Sequence, residues 1–276
     1  MSMPAPSARS RLAAVLDRPE PELVLAEAAL LIAAEEYPQL PIAPYLRRLD
    51  LLAERVRDRL ANETAPLVLL QELSRVLFDE EGFRGNVEAY YDPRNSFLND
   101  VLDRRLGIPI TLGTVYLEVG WRLGLPLTGV NFPGHFLVRY EGAALKILVD
   151  PFQAGELRFE DEAQDLLDRV YGGSVSLLPE FLRAAGKRDI VARILSNLKS
   201  IYLNARDDLR ALAASDRLLL VHRDDPEELR DRGMILARLG RSSEAITDLQ
   251  SYLDRCSPSA PDARRVADLL ERLRPG

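Results

Sequence analysis

The sequence holds one cysteine, Cys256, and two histidines, His135 and His222, in 276 residues. A single thiol excludes an intramolecular disulfide and any zinc site built on several cysteines. Two histidines do not make a multi-histidine centre, so no metal is expected. There is no glycine-rich phosphate loop either, and no cofactor is expected. No run of about 18 apolar residues occurs, so no transmembrane helix is expected. The opening Met1-Ser2-Met3-Pro4-Ala5-Pro6 lacks the basic start and apolar run of a secretory signal. With so little cysteine, the expected location is the cytoplasm. Lysine is scarce too, at 3 residues against 33 arginines, which reads as genome composition and carries no functional weight.

What is present suits a globular chain with a real core: 47% hydrophobic and 29% charged residues. The length fits one large domain or two modest ones. With 43 acidic against 36 basic residues the net charge is −7. That balance lacks the basic footprint that nucleic-acid binding needs. Residues 187–276 carry 17 basic and 15 acidic side chains, so the tail is not a basic arm either.

Residues 1–18 read as a flexible arm. Helical periodicity starts near Glu22, with Leu23, Ala26, Leu30 and Ala33 forming one apolar stripe. Further helices are expected over Pro44–Leu60 and from Thr64 to about Asp79, the latter with Pro66 in its first turn. From Gly82 the texture turns loop-like, through Gly82-Phe83-Arg84-Gly85-Asn86 and Asp92-Pro93-Arg94-Asn95. A short helix follows Asn95, and another runs from Pro109 to Leu123, stopped by Gly124 and Pro126. Three strands are expected at Leu127–Phe132, His135–Tyr140 and Leu145–Asp150, then a helix near Glu160–Val170. The domain boundaries expected are 19–186 for the mixed part and 187–276 for a helical tail.

The tail is self-similar at a shift of 34 residues. Leu195 matches Leu229, Ala211 matches Ala245, Leu212 matches Ile246 and Leu219 matches Leu253. Gly233, Gly240, Ala245 and Leu253 sit at the offsets of a tetratricopeptide unit. The first unit is degenerate, with Lys199 and Arg206 where the second has glycines. Two units do not make a free-standing solenoid, so the tail is expected to pack on the preceding domain.

His135 lies in Asn131-Phe132-Pro133-Gly134-His135-Phe136-Leu137-Val138-Arg139-Tyr140. Strand alternation places His135, Leu137 and Arg139 on one face. Closing the next hairpin with Glu141-Gly142-Ala143-Ala144 sets Tyr140 opposite Leu145, Leu137 opposite Leu148 and His135 opposite Asp150. An imidazole beside a carboxylate has its tautomer fixed and its imidazolium stabilised, which is what a general base needs. A one-residue slip would destroy the pair. A nucleophile is expected at the start of the Pro109 helix, where a helix N-terminus favours a thiolate. That turn reads Pro109-Ile110-Thr111-Leu112-Gly113-Thr114 and offers only Thr111 and Thr114. Asn95 is expected to cap the helix after it, or to point its amide into a cleft with Asn131. Gly134 serves a positive φ or a close approach. Glu118 is expected on a solvent or salt-bridge face. Cys256 and His222 fall in the tail, without partners for chemistry.

The motifs Tyr90-Tyr91-Asp92-Pro93-Arg94-Asn95-Ser96-Phe97-Leu98, Arg105-Leu106-Gly107-Ile108-Pro109-Ile110-Thr111-Leu112 and Pro133-Gly134-His135-Phe136-Leu137-Val138-Arg139 resemble those of the bacterial SirB family of transglutaminase-like proteins. The resemblance covers roughly residues 20–270. It implies an α+β fold: N-terminal helices, a papain-like or transglutaminase-like core with a small antiparallel sheet, and an all-α tetratricopeptide-like tail. It also implies a superfamily order of cysteine at a helix start, histidine on one strand and aspartate on the next. Here His135 and Asp150 match the last two, and the cysteine position falls at Thr111, give or take one residue. The expected function is therefore a catalytically degenerate member that binds a protein or peptide, with Asn95, Asn131 and Gly134 in the cleft. The alternatives are an amide or ester hydrolase or acyltransferase using Thr111 with His135 and Asp150, and a structural module with a fossil cleft.

Overall fold

A computed structural model describes residues 6–61, 63–143, 145–257 and 260–274. The chain divides into two compact units, Met1–Ile194 and Leu195–Gly276. The sequence placed this boundary at 186/187. The division instead falls inside one helix, because the helix that opens the tail gives its first turns to the core of the first unit.

The first unit begins with α1 (Ala8–Leu16), and this corrects the expectation of a flexible arm over residues 1–18. Ser7 caps α1 by accepting the Ser10 N–H at 3.1 Å. Leu12, Val15 and Leu16 are buried at the i, i+3, i+4 spacing that makes one helix face, and α1 packs on α2 (Leu25–Ala33). Residues 1–5 of the expected arm lie outside the described residues. Helices α3 (Ile42–Leu60) and α4 (Pro66–Ser74) follow. The helix of α4 widens into a π-type segment over Arg75–Glu80 instead of running unchanged to Asp79. Two short parallel strands, β1 (Arg84–Gly85) and β2 (Leu106–Gly107), flank α5 (Leu98–Arg104).

Helix α6 (Pro109–Arg122) is the centre of the unit. Pro109 at its first position presets the helical φ. Every residue from Pro109 to Gly120 is buried, as expected of a helix surrounded on all sides. It packs on α2 and α3, and on two strands of a five-stranded antiparallel sheet. These are β3 (Leu127–Val130) and β4 (Leu137–Glu141), and the sheet continues with β5 (Lys146–Asp150), β6 (Glu156–Arg158) and β7 (Ala184–Ala185) in the order β6-β5-β4-β3-β7. The second face carries Leu137 and Leu148, which join Val130 and Phe132 against Ala163, Leu166 and Leu167 of α7 (Ala163–Tyr171).

The β4–β5 register pairs Val138 with Val149, Arg139 with Leu148, Tyr140 with Ile147 and Glu141 with Lys146. The expected register set Leu137 opposite Leu148, so the observed one is shifted by two residues. The tight part of the turn starts one residue later: the Gly142 N–H donates to the Leu145 carbonyl at 3.0 Å. Glu141 and Lys146 close the ladder as an opposite-charge pair at 3.9 Å. His135 is not on a strand. It sits in the turn before β4, which begins at Leu137.

The second unit consists of the rest of α8 (Lys187–Asn204), then α9 (Asp208–Val221), α10 (Pro226–Arg238), α11 (Ser242–Leu253) and α12 (Ala263–Leu273). The starts of α9 and α11 are 34 residues apart, as the repeat predicts. At the two degenerate positions the chain substitutes other interactions. Lys199 pairs with Glu228 at 2.6 Å and Asp231 at 2.9 Å. Arg206 adopts φ +57°, the left-handed conformation that Gly240 takes with φ +73°. No helix among the described residues is long and apolar enough to cross a membrane.

Gly113 is where α6 meets β4. A Cβ there would fall 2.5 Å from Phe136 Cδ1, inside a fully buried ring. Gly113→Ala should therefore destabilise the protein by about 1–3 kcal/mol through overpacking, although alanine is the better helix former by about 1 kcal/mol. Urea unfolding checks this. A stability equal to or above wild type would contradict the α6–β4 contact.

Candidate functional site

His135 and Asp150 meet despite the shifted register. Nε2 of His135 lies 2.8 Å from Asp150 Oδ1, with the two side chains 10% and 1% exposed. Side chains alternate with period two, so a two-residue shift keeps every residue on its own face. In the observed register the residue level with Asp150 is Leu137, and His135 reaches the carboxylate diagonally from the preceding turn. A carboxylate only accepts hydrogen bonds, so Nε2 carries the proton and Nδ1 is the unprotonated nitrogen. Asp150 Oδ1 also accepts the N–H groups of Phe152 at 3.0 Å and Gln153 at 3.2 Å, capping the Pro151–Gln153 turn. Its Oδ2 is buried without a hydrogen-bond partner among the described residues.

Gly134 meets both expectations. Its φ is +69°, and a Cβ would stand 2.9 Å from Val170 Cγ1 and 3.2 Å from the Tyr171 hydroxyl oxygen. Asn131 keeps its carboxamide oxygen buried, with no hydrogen-bond partner among the described residues. Asn95 fills neither expected role. Helix α5 has no side-chain cap, and Asn95 is fully buried. Its Nδ2 donates to the carbonyls of Ala89 at 2.7 Å and Tyr90 at 3.2 Å, and its Oδ1 accepts Asn86 Nδ2 at 3.0 Å. The loop ahead of Asn95 closes over the amide and consumes its hydrogen-bonding capacity, so Asn95 shapes the Tyr90 loop from beneath. Glu118 takes the salt-bridge role of the two expected, from a buried position. It accepts the Ala26 N–H at 2.7 Å and pairs with Arg122.

Thr111 is 1% exposed. Its Oγ1 accepts the Ile108 N–H at 3.1 Å and donates to the Asn95 carbonyl at 2.7 Å. The hydroxyl is thus an N-terminal capping group of α6, with its proton committed to a backbone carbonyl. Thr114 is likewise committed, with its hydroxyl on the Ile110 carbonyl at 2.8 Å. Neither forms a hydrogen bond with His135 among the described residues.

Four residues around His135 escaped the sequence reading. Phe152 stands edge-on to the imidazole at 6.0 Å, and Tyr90 stands edge-on to Phe152 at 6.1 Å. Tyr171 reaches over Gly134, and Arg193 Nη2 donates to the His135 carbonyl at 3.0 Å. Tyr90 belongs to one of the motif stretches and Phe152 adjoins Asp150, so both carried a local signal. Tyr171 and Arg193 come from helices whose approach only the folded chain defines.

Other features lie apart from this pair. A cleft of about 400 Å³ is lined by Leu51, Leu52, Phe83 and Leu102, with Arg48, Arg55 and Arg105. Those three arginines are already paired, with Asp103, Glu80 and Glu81. In the second unit a cleft of about 700 Å³ is lined by Arg230, Tyr252, Cys256 and Asp262. The Cys256 thiol there donates to the Leu253 carbonyl at 3.7 Å and packs against the Leu249–Leu270 cluster. Among the described residues no group of three His, Cys, Asp or Glu side chains is arranged to hold a metal ion.

Comparison with known proteins identifies both parts of the chain. A family model described as the transglutaminase-like superfamily matches residues 43–196, and a tetratricopeptide-repeat model matches residues 198–271. The chain is 41% identical over 234 residues to a UPF0162 protein of Xylella fastidiosa strain 9a5c, covering 84% of this chain and 83% of that one. A UPF0162 protein of Vibrio cholerae is 35% identical over 239 residues, covering 86% and 85%. Protein SirB1 of Salmonella typhimurium is 30% identical over 232 residues, covering 84% of each. No solved structure gives a significant match.

Removing the Thr111 hydroxyl while keeping its shape isolates its role. Thr111→Val leaves the Ile108 N–H and the Asn95 carbonyl unpaired and should cost about 1–3 kcal/mol in urea unfolding. Unchanged stability would contradict the capping role and free the hydroxyl for chemistry.

Proposed function

The chain belongs to the SirB/UPF0162 family of transglutaminase-like proteins with tetratricopeptide repeats, and on that premise we propose that it is a catalytically degenerate member that binds another protein through an extended segment laid beside His135. One contrast carries this reading. The base and its orienting carboxylate are assembled, whereas both hydroxyls at the start of α6 are buried and bound to carbonyls. A thiol ionises near neutrality with modest help, and an alcohol does not. A helix end contributes about 0.3–1 kcal/mol at exposed sites, far too little to make an alkoxide. Thr111 would have to give up its bond to the Asn95 carbonyl before passing a proton to His135, which opposes the hydrolase or acyltransferase reading.

The surroundings support a peptide ligand. Val87 and Tyr91, 75% and 71% exposed, border Tyr90, while Val170 and Tyr171 present apolar surface beside Gly134. Exposed apolar side chains on the segments flanking a histidine suit an extended chain, with apolar contacts for affinity and a hydrogen bond for register. The helical repeat of the second unit offers further contacts to a protein partner. A cytoplasmic setting fits the unpaired Cys256.

The test combines turnover with binding. Wild type and His135→Ala are compared on amide, ester and acyl-transfer substrates, and random peptides are selected by display on the wild type. We expect no turnover above the His135→Ala level. We also expect selected peptides to lose about tenfold or more in affinity for Val87→Ser/Tyr91→Ser, a loss of about 1.4 kcal/mol. Turnover that depends on His135 would make the protein an enzyme. Peptides indifferent to both variants would place binding elsewhere.

A further inference from the structure

Arg193 is distinguished by what it lacks. Its Nη2 donates to the His135 carbonyl at 3.0 Å, and both Nη atoms reach the Phe132 carbonyl at 3.5 Å. Among the described residues, no carboxylate pairs with it. The comparable arginines of the same unit all have one. Arg122 holds Asp50 and Glu118, Arg139 holds Glu141 and Glu160, and Arg158 holds Glu156. Carbonyl oxygens satisfy the N–H geometry but leave the positive charge uncompensated. A partly buried cation is costly without a counter-ion. Burial pushes the Arg193 pKa below its ordinary value, and the groups that oppose this are the phenols of Tyr90 and Tyr171. Neither phenol has a hydrogen-bond partner among the described residues. The turn that carries His135 is therefore held by a guanidinium with donors to spare, and that guanidinium has two phenols near it, one of them reaching over Gly134.

We propose that Arg193 is the anion-reading element of the His135 site, and that the segment held there presents a carboxylate to it, either a chain terminus or an Asp or Glu side chain. This rests on the reading of the site as a peptide-binding cleft. The charge-assisted bond would give the cleft a polarity, fixing which way the extended segment runs past His135. Tyr90 and Tyr171 add neutral donors that a carboxylate also accepts. Arg193 would still staple the Phe132–His135 turn without any ligand, so the test must separate charge from scaffolding.

The experiment follows the His135 ring by NMR in full-length His222→Gln protein, where His135 gives the only imidazole signals. His222 is exposed, so its replacement leaves the fold intact. The probes are N-acetylalanine, the 1-amide of N-acetylglutamate, N-acetylalanine amide and inorganic phosphate. We expect one or both carboxylate probes to shift the His135 resonances saturably, and the neutral amide to have no effect. A response to N-acetylalanine alone identifies a chain terminus. A response to the glutamate probe identifies an acidic side chain. Arg193→Gln retains a donor for the His135 carbonyl but no charge, and should weaken the carboxylate response by about tenfold to a hundredfold. Arg193→Lys should restore part of it. Four results would overturn the proposal: equal shifts from acid and amide, an undiminished response in Arg193→Gln, a response to phosphate only, or no response to any probe. Should Arg193→Gln fail to fold, the acid-against-amide comparison in the Arg193 protein still decides. A carboxylate response without any selected peptide would sink the peptide-binding reading alone. Selected peptides without a carboxylate response would sink this inference alone.

Discussion

One oxygen atom organises the site. Asp150 Oδ1 accepts the N–H groups of Phe152 and Gln153 and faces Nε2 of His135, all while the carboxylate is 1% exposed. A carboxylate buried this deeply is tolerable only if donors converge on it. The donors here come from the turn after β5 and from the turn before β4. The bond therefore ties together two turns at the same end of the sheet, and it fixes the imidazole as a consequence. Phe152 is held by the same turn and meets the imidazole edge-on, while Tyr90 packs on Phe152. The aromatic wall thus hangs on the carboxylate as well. The His135–Asp150 bond itself does not pass through Thr111, whose hydroxyl is bound to the Asn95 carbonyl.

The folded chain shows how the motif at α6 has been put to structural use. Thr111 joins the first turn of α6 to the Asn95 carbonyl, and the Asn95 amide in turn clamps the loop that carries Tyr90. The start of α6 is the root of a hydrogen-bonded chain running through Thr111, Asn95 and the Ala89–Tyr90 backbone to the rim of the site. Polar groups buried in such a chain are costly to leave unpaired, which gives these residues a physical reason to be where they are.

Much of this was legible in the sequence. The helices of the first unit follow from apolar spacing and from Pro66 and Pro109 at helix starts. The repeat follows from its 34-residue period. The His135–Asp150 pair was legible for a reason that tolerates error: the register was displaced by two residues, and a period-two displacement keeps both side chains on one face. A displacement by one would have separated them. Helix α1 rests on Ser7 and the Leu12, Val15, Leu16 spacing, a pattern of only nine residues. The role of Asn95 was not legible, since an asparagine ahead of a helix is most simply a cap. Only the path of the 86–90 loop shows where its amide is spent. Arg193 could not be singled out among 33 arginines, because its distinction is the absence of a carboxylate, a property of the folded chain alone.

The account stands on His135 being held through Nε2 with Nδ1 left open to a ligand. Long-range proton–nitrogen NMR correlation of the His135 ring in its neutral form reports the tautomer directly. The account predicts the proton on Nε2, and loss of that fixed tautomer in Asp150→Ala. A proton on Nδ1, or a wild-type ring exchanging freely between tautomers, would contradict it.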